Sequence, residues 1–200
     1  LQAFSVGAGP GTGLIINYNA IETNLANAGT VKSISGSGPD ITVTSNYSSA
    51  HVTIQVLGYY YPDEGFYYTP VDPCRIVDTR NTPAGIIDVN TKRDFRVYGS
   101  VGPQGGNPAG CPLTLTVTPQ AAHLNMIAVN PTGKGNLQAF PVGTSAGAGL
   151  SVNYNTIDTN LANAGTVKTV TGSGPDITVA SNFSSAHMVI DVLGYYYPAP

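Results

Sequence analysis

Apolar residues recur at every second position along several stretches of this chain, and the same alternation occurs twice. In HVTIQVLGYYYP (His51–Pro62) and HMVIDVLGYYYP (His187–Pro198), Val52/Met188, Ile54/Ile190 and Val56/Val192 stay apolar. The positions between them change freely, from Thr53 to Val189 and from Gln55 to Asp191. One buried face and one tolerant face at period two predict a β-strand. LIINYN and LSVNYN behave alike: Leu14/Leu150, Ile16/Val152 and Tyr18/Tyr154 share one face, and Ile15 becomes Ser151 on the other. Gly/Pro-rich GAGPGTG and SGSGPD punctuate such runs at the spacing of an all-β fold, built of β-sandwich or jelly-roll-like repeat modules.

The repetition goes further. TNLANAGTVK at Thr23–Lys32 returns letter for letter at Thr159–Lys168, and Leu1–Pro62 aligns without gaps on Leu137–Pro198, 45 of 62 positions being identical. The Asn and Thr side chains of the decapeptide suit loop backbone groups. Thr30–Ser35 is predicted to enter a strand, with a short helix over ETNLANAG as the alternative.

Between the copies, Asp63–Asn136 is a different sequence that also reads as β, in CRIVDTR, DFRVYGSV, PLTLTVTP and HLNMIAVNP. PTGKGN predicts a hairpin joining a strand around Leu124–Asn130 to one at Leu137–Val142. In the first copy, strand Leu1–Val6 has no such partner upstream, so Leu1, Ala3, Phe4 and Val6 are expected to form an open assembly edge. The order is therefore C-half, N-half, C-half. Residues 1–62 are a C-terminal half-module, and residues 63–198 are a complete module whose halves are 63–136 and 137–198. An orphan half exposes strand edges. It can be a small sandwich complete in itself, be completed by another chain, or belong to a longer tandem array.

Composition narrows the partners. Charged residues are 10 %, against about 25 % in an average domain, and the net charge is −3, so no nucleic acid is expected. No apolar run approaches the ~18–20 residues of a membrane span, and no membrane insertion is expected. The chain opens at Leu1 without a leader pattern and reads as a mature or excised segment. Its two cysteines fit no zinc spacing. An even count favours a disulfide and an oxidising compartment, two buried free thiols being the alternative. Loop-closure entropy credits a bridge of this span with about 4 kcal/mol.

Candidate chemistry is sparse. VDTR suggests an aspartic protease, but Arg80 stands where glycine is needed and there is no second copy, so Asp78 and Arg80 are expected to be a structural ion pair. Arg75, Arg80, Lys92, Arg93 and Arg96 among Asp72, Asp78, Asp88 and Asp94 predict a local ion-pair network. GAGPGTG lacks the residues of a phosphate loop. His51 and His187 have neighbouring serines but neither a nucleophile elbow nor an orienting acid. Asp40 and Asp176 are too few for calcium and read as turn residues. NYS and NFS make Asn46 and Asn182 candidate glycosylation sites. Tyr59, Tyr60, Tyr61, Phe66, Tyr67 and Tyr68, with Tyr195, Tyr196 and Tyr197, are expected to pack the junction between modules, or else to stack on sugars. No catalytic residue, cofactor or metal is expected.

YTPVDPCRIVDTR (Tyr68–Arg80), followed by AGCP (Ala109–Pro112), HLNMIAVNPTGKGNLQAFPVG and VIDVLGYYYP, resembles a module found in tandem in large secreted bacterial surface proteins. The resemblance, with its CR-x-x-DTR signature, covers Phe66–Pro198, with Leu1–Pro62 as a second C-terminal half. It implies β-sandwich spacers or adhesive units, an extracellular location at the cell surface, a Cys74–Cys111 bridge and no enzymatic activity. The expected function is a non-enzymatic structural repeat protein, self-associating into a surface filament or sheath by β-strand complementation or module stacking. An adhesion or carbohydrate-binding module with cell-wall glycan as partner is the alternative.

Overall fold

The computed structural model describes residues 1–10, 13–18, 24–34, 36–61, 63–113, 115–146, 149–155 and 160–199. The fold is all-β, and the described residues form three antiparallel sheets and two 3-10 turns, at Thr79–Asn81 and Gly102–Gln104. The chain forms two compact units, Leu1–Ile54 and Gln55–Pro200, so the division falls before the expected boundary at Pro62, which itself lies outside the described residues.

The first unit carries β1 (Gln2–Ser5), β2 (Leu14–Ile15) and β3 (Ile41–Thr44), in the order β2-β1-β3. The second carries β4 (Phe66–Asp78), β5 (Lys92–Phe95), β6 (Ala121–Val129), β7 (Gly135–Pro141), β8 (Leu150–Tyr154), β9 (Leu161–Lys168), β10 (Ile177–Asn182) and β11 (His187–Pro198). These make two four-stranded sheets, β5-β10-β7-β8 and β4-β11-β6-β9. Alternation places the core as the sequence predicts. Leu150, Val152 and Tyr154 on β8 are buried while Ser151 and Asn153 are half-exposed, and Leu124, Met126 and Ala128 on β6 are fully enclosed. On β11, Val189 is buried as well, in a strand whose register slips at Ile190/Asp191 and Val192/Gly194.

Three expectations require correction. β6 and β7 do not form a hairpin, because β6 is flanked by β11 and β9 while β7 is flanked by β10 and β8. The Gly-rich link between them carries the chain from one sheet to the other. The strand holding Leu1, Ala3, Phe4 and Val6 is accordingly no edge: β1 pairs with β2 on one side and β3 on the other, and Phe4 is buried. PLTLTVTP forms no strand among its described residues, and Leu115 and Val117 stand exposed. Prolines at both ends remove backbone donors.

The decapeptide shows what pairing decides. Leu161–Lys168 is a strand, whereas the identical Leu25–Lys32 is irregular. Neither copy is helical over its described residues; Thr23, Ser35 and Thr159 lie outside them. His187–Pro198 is a strand, whereas residues 51–61 are irregular and exposed or nearly so. In the sheet β5-β10-β7-β8, the three C-half strands are contiguous and assemble without the N-half, as β3-β1-β2 does in the first copy. In the other sheet, the C-half strands β9 and β11 are never neighbours, because β6 lies between them and β4 lies outside. Without an N-half their backbone groups have no ladder, so identical side chains leave the strand unformed.

Candidate assembly surface and the strand clamp

The first copy keeps its local hydrogen bonds and loses its cover. Tyr18 Oη donates to the Ser48 carbonyl at 2.9 Å, as Tyr154 Oη donates to that of Ser184 at 3.1 Å. Asn27 Nδ2 donates to the Ile15 carbonyl and Asn163 Nδ2 to that of Ser151, both at 2.8 Å. Yet Tyr18 is half-exposed and Tyr154 is enclosed. The consequence is electrostatic. Hydrogen bonds from Ser45 and Ser48 hold the Tyr18 phenol below its ordinary pKa, whereas burial pushes that of Tyr154 up.

Several of the uncovered apolar residues have counterparts that form the second core. Ile54, Val56, Tyr59 and Tyr61 are 56–72 % exposed, and their equivalents Ile190, Val192, Tyr195 and Tyr197 are at 0 %. Val43 on β3 is 38 % exposed against 0 % for Val179 on β10. The outer edge of β3 is the edge that β5 occupies on β10, in the register Ile177↔Phe95 to Ala180↔Lys92. Asp40 is exposed, while the equivalent Asp176 is buried, with Oδ2 accepting from the Val97 amide of the N-half at 2.9 Å. Burial raises the pKa of Asp176, against the opposing effects of the Val97 amide and the Arg96 charge. The open elements are therefore, in the first unit, the outer edge of β3 and residues 25–32 and 51–54, and, in the second, residues 55–61.

The CR-x-x-DTR residues all serve to hold β4 to β11 and to the loop beyond. Cys74 and Cys111 form the disulfide. Arg75 pairs with Asp191 on β11, Nε to Oδ1 at 2.5 Å, and reaches Asp78 at 3.7 Å. Asp78, almost fully buried, accepts from the Arg80 amide, Nε and Nη2 and from Asn81 Nδ2; the Arg80 hydrogen bonds hold its carboxyl below the usual range, against the opposing effect of burial. Thr79 Oγ1 accepts from the Met188 amide at 2.9 Å and lies 3.1 Å from His187 Nδ1. Gly105, at φ +80°, closes over the Asp78 backbone where a Cβ would collide with its carbonyl.

The remaining predicted residues are dispersed. The ion-pair network is smaller than expected and includes Asp191, which lies 116 positions from Arg75. Arg93 instead donates to the carbonyls of Ala84, Gly85 and Ile86, and Arg96 to that of Ser173. Asn46 is exposed, but Asn182 donates to Asn136 Oδ1 at 2.9 Å and Ser184 of its sequon is buried. The aromatic run divides: Tyr195 and Tyr197 are core, Phe66, Tyr67 and Tyr68 lie on edge strand β4, and Tyr59, Tyr60 and Tyr61 are exposed. Tyr196 Oη stands 3.0 Å from Tyr60 Oη, its ring 4.9 Å from that of Tyr68, and its phenol is pushed up to about 12, chiefly by burial. Among the described residues no group of acidic, His or Cys side chains could hold a metal ion, and no helix is long and apolar enough to cross a membrane. Asp191 and Thr79 join the strand clamp without having been singled out by the sequence; the Gln55/Asp191 change between the copies was the available signal. No family model, curated protein or solved structure matches this chain.

Proposed function

We propose that the protein is an extracellular structural repeat protein, a subunit of a bacterial surface filament or sheath whose open half-module is completed by a neighbouring molecule. The observation that carries this reading is the decapeptide, a strand where the N-half covers it and irregular where nothing does. The disulfide and the low charge suit an oxidising, protease-exposed exterior.

Counting halves constrains how neighbours join. These 200 residues carry one N-half and two C-halves, so exchange of N-halves between copies completes one module per chain, as a single chain already does. Growth must come from strand addition between open halves. Joining the outer edge of β3 in one molecule to the outer edge of β2 in the next is head-to-tail and propagates, whereas β3 to β3 closes a dimer. Sedimentation velocity with electron microscopy of the purified chain tests this: filaments with a regular axial repeat support it, and monomers or closed dimers at all concentrations contradict it.

A second reading rests on the exposed rings. Tyr59, Tyr61 and Tyr67 are 60–72 % exposed, and such faces stack on sugars. Micromolar binding of cell-wall glycan by monomeric protein would favour an adhesive module instead.

A further inference from the structure

The N-half has two claimants. β4 and β6 receive β11 and β9 from the second C-half, and the first C-half holds near-copies of both strands. Leu25–Lys32 matches Leu161–Lys168 at every residue, and residues 51–61 match 187–197 except at Val52, Thr53 and Gln55. The side chains that meet the N-half are duplicated too. Asp176 (bonded to the Val97 amide), Thr178 (to Asp94 at 2.6 Å), His187 (beside Thr79) and buried Tyr195 recur as Asp40, Thr42, His51 and Tyr59.

The connection also fits. β11 lies antiparallel to β4 with Tyr197 opposite Tyr67, Tyr196 opposite Tyr68 and Tyr195 opposite Thr69. Shifted to the first copy, this register puts Tyr61 opposite Tyr67 and Tyr60 opposite Tyr68, which follow in the same chain after a link of hairpin length. Tyr60 Oη is already 3.0 Å from Tyr196 Oη, and the Tyr196 ring packs on that of Tyr68. The strand and its rival meet at one register position.

We infer that the N-half, residues 63–136, is a shared element that exchanges between the two C-halves by strand displacement. Residues 51–61 zip against β4 as β11 leaves, and Asp191 sets the preference for the second copy. Arg75 holds Asp191 through two hydrogen bonds, at 2.5 and 3.3 Å, where the first copy offers the uncharged Gln55. Val189 and Met188 are buried, and Thr53 and Val52 in their places would enclose a hydroxyl and leave a void. All three differences favour β11. Exchange needs one molecule only and goes beyond the assembly reading.

The test is the full chain, dilute enough to sediment as a monomer, with the three positions swapped: Val52→Met, Thr53→Val and Gln55→Asp together with Met188→Val, Val189→Thr and Asp191→Gln. Hydrogen exchange read by mass spectrometry is expected to show protection moving from 187–197 to 51–61, and from 161–168 to 25–32, by about tenfold or more in rate. The pair Gln55→Asp with Asp191→Gln alone is expected to move it part of the way. Protection that stays on 187–197 overturns the inference. So does a swapped chain that loses protection everywhere, because a true rival strand would keep the N-half folded. Filaments formed by a chain that fails the swap leave the assembly reading standing, and exchange in a chain that never polymerises removes that reading alone.

Discussion

Tyr60 and Tyr196, equivalent residues 136 positions apart in the repeat, meet hydroxyl to hydroxyl at 3.0 Å. One belongs to a strand held on both sides, the other to a segment with no ladder. The same sequence thus occurs in two environments within one molecule, and each copy serves as a control for the other.

Alkaline titration should separate equivalent tyrosines. Tyr18 is expected to ionise below the ordinary phenol range and Tyr154 above it. Burial also raises Tyr195 and Tyr196, so in each of these three the folded state retains a proton the unfolded chain gives up from about pH 10. Their stabilising effect is complete below that pH and is lost as pH rises through the raised values. Ultraviolet difference spectra with circular dichroism should show Tyr18 ionising first and the second unit unfolding above about pH 10.

Removing one hydroxyl should matter in only one copy. Tyr154→Phe removes one of the two buried donors to the Ser184 carbonyl, Ser181 Oγ being the other, and is expected to cost about 1 kcal/mol in denaturant unfolding of the second unit. Tyr18→Phe at the half-exposed counterpart, which belongs to the first unit, is expected to leave that transition unchanged.

Asp78→Asn should loosen the end of β4. The buried carboxylate accepts four hydrogen bonds, two of them from the Arg80 side chain, and the substitution is expected to cost about 2 kcal/mol. Because its folded pKa is lowered, the contribution of Asp78 is present above about pH 4 and fades as pH falls through the lower, folded value. Unfolding curves below pH 4 should therefore converge for wild type and variant.

Reducing the Cys74–Cys111 bridge, which closes a separation of 37 residues, is expected to cost about 4 kcal/mol. Urea melts of the Cys74→Ser, Cys111→Ser double variant, compared with the oxidised chain, measure it.

The fold class and the duplicated plan were legible because strand alternation and internal repetition are local signals. Leu150, Val152 and Tyr154 face the core as their spacing requires. Sheet membership was not legible. HLNMIAVNP and LQAFPV carry the right alternation, but nothing in them states that the link between β6 and β7 crosses between sheets. The open edge was consequently expected at Leu1, Ala3, Phe4 and Val6, when in the first unit it is the outer edge of β3. The pairing of Arg75 with Asp191 depends on a long-range register that no window of sequence contains.

The central claim is that tertiary pairing alone, and not sequence, makes the decapeptide a strand. Amide hydrogen exchange of the native chain, followed on peptides whose flanking residues distinguish the copies, measures this directly. The account requires slow exchange at Leu161–Lys168 and exchange near the unfolded rate at Leu25–Lys32; equal protection of the two would contradict it.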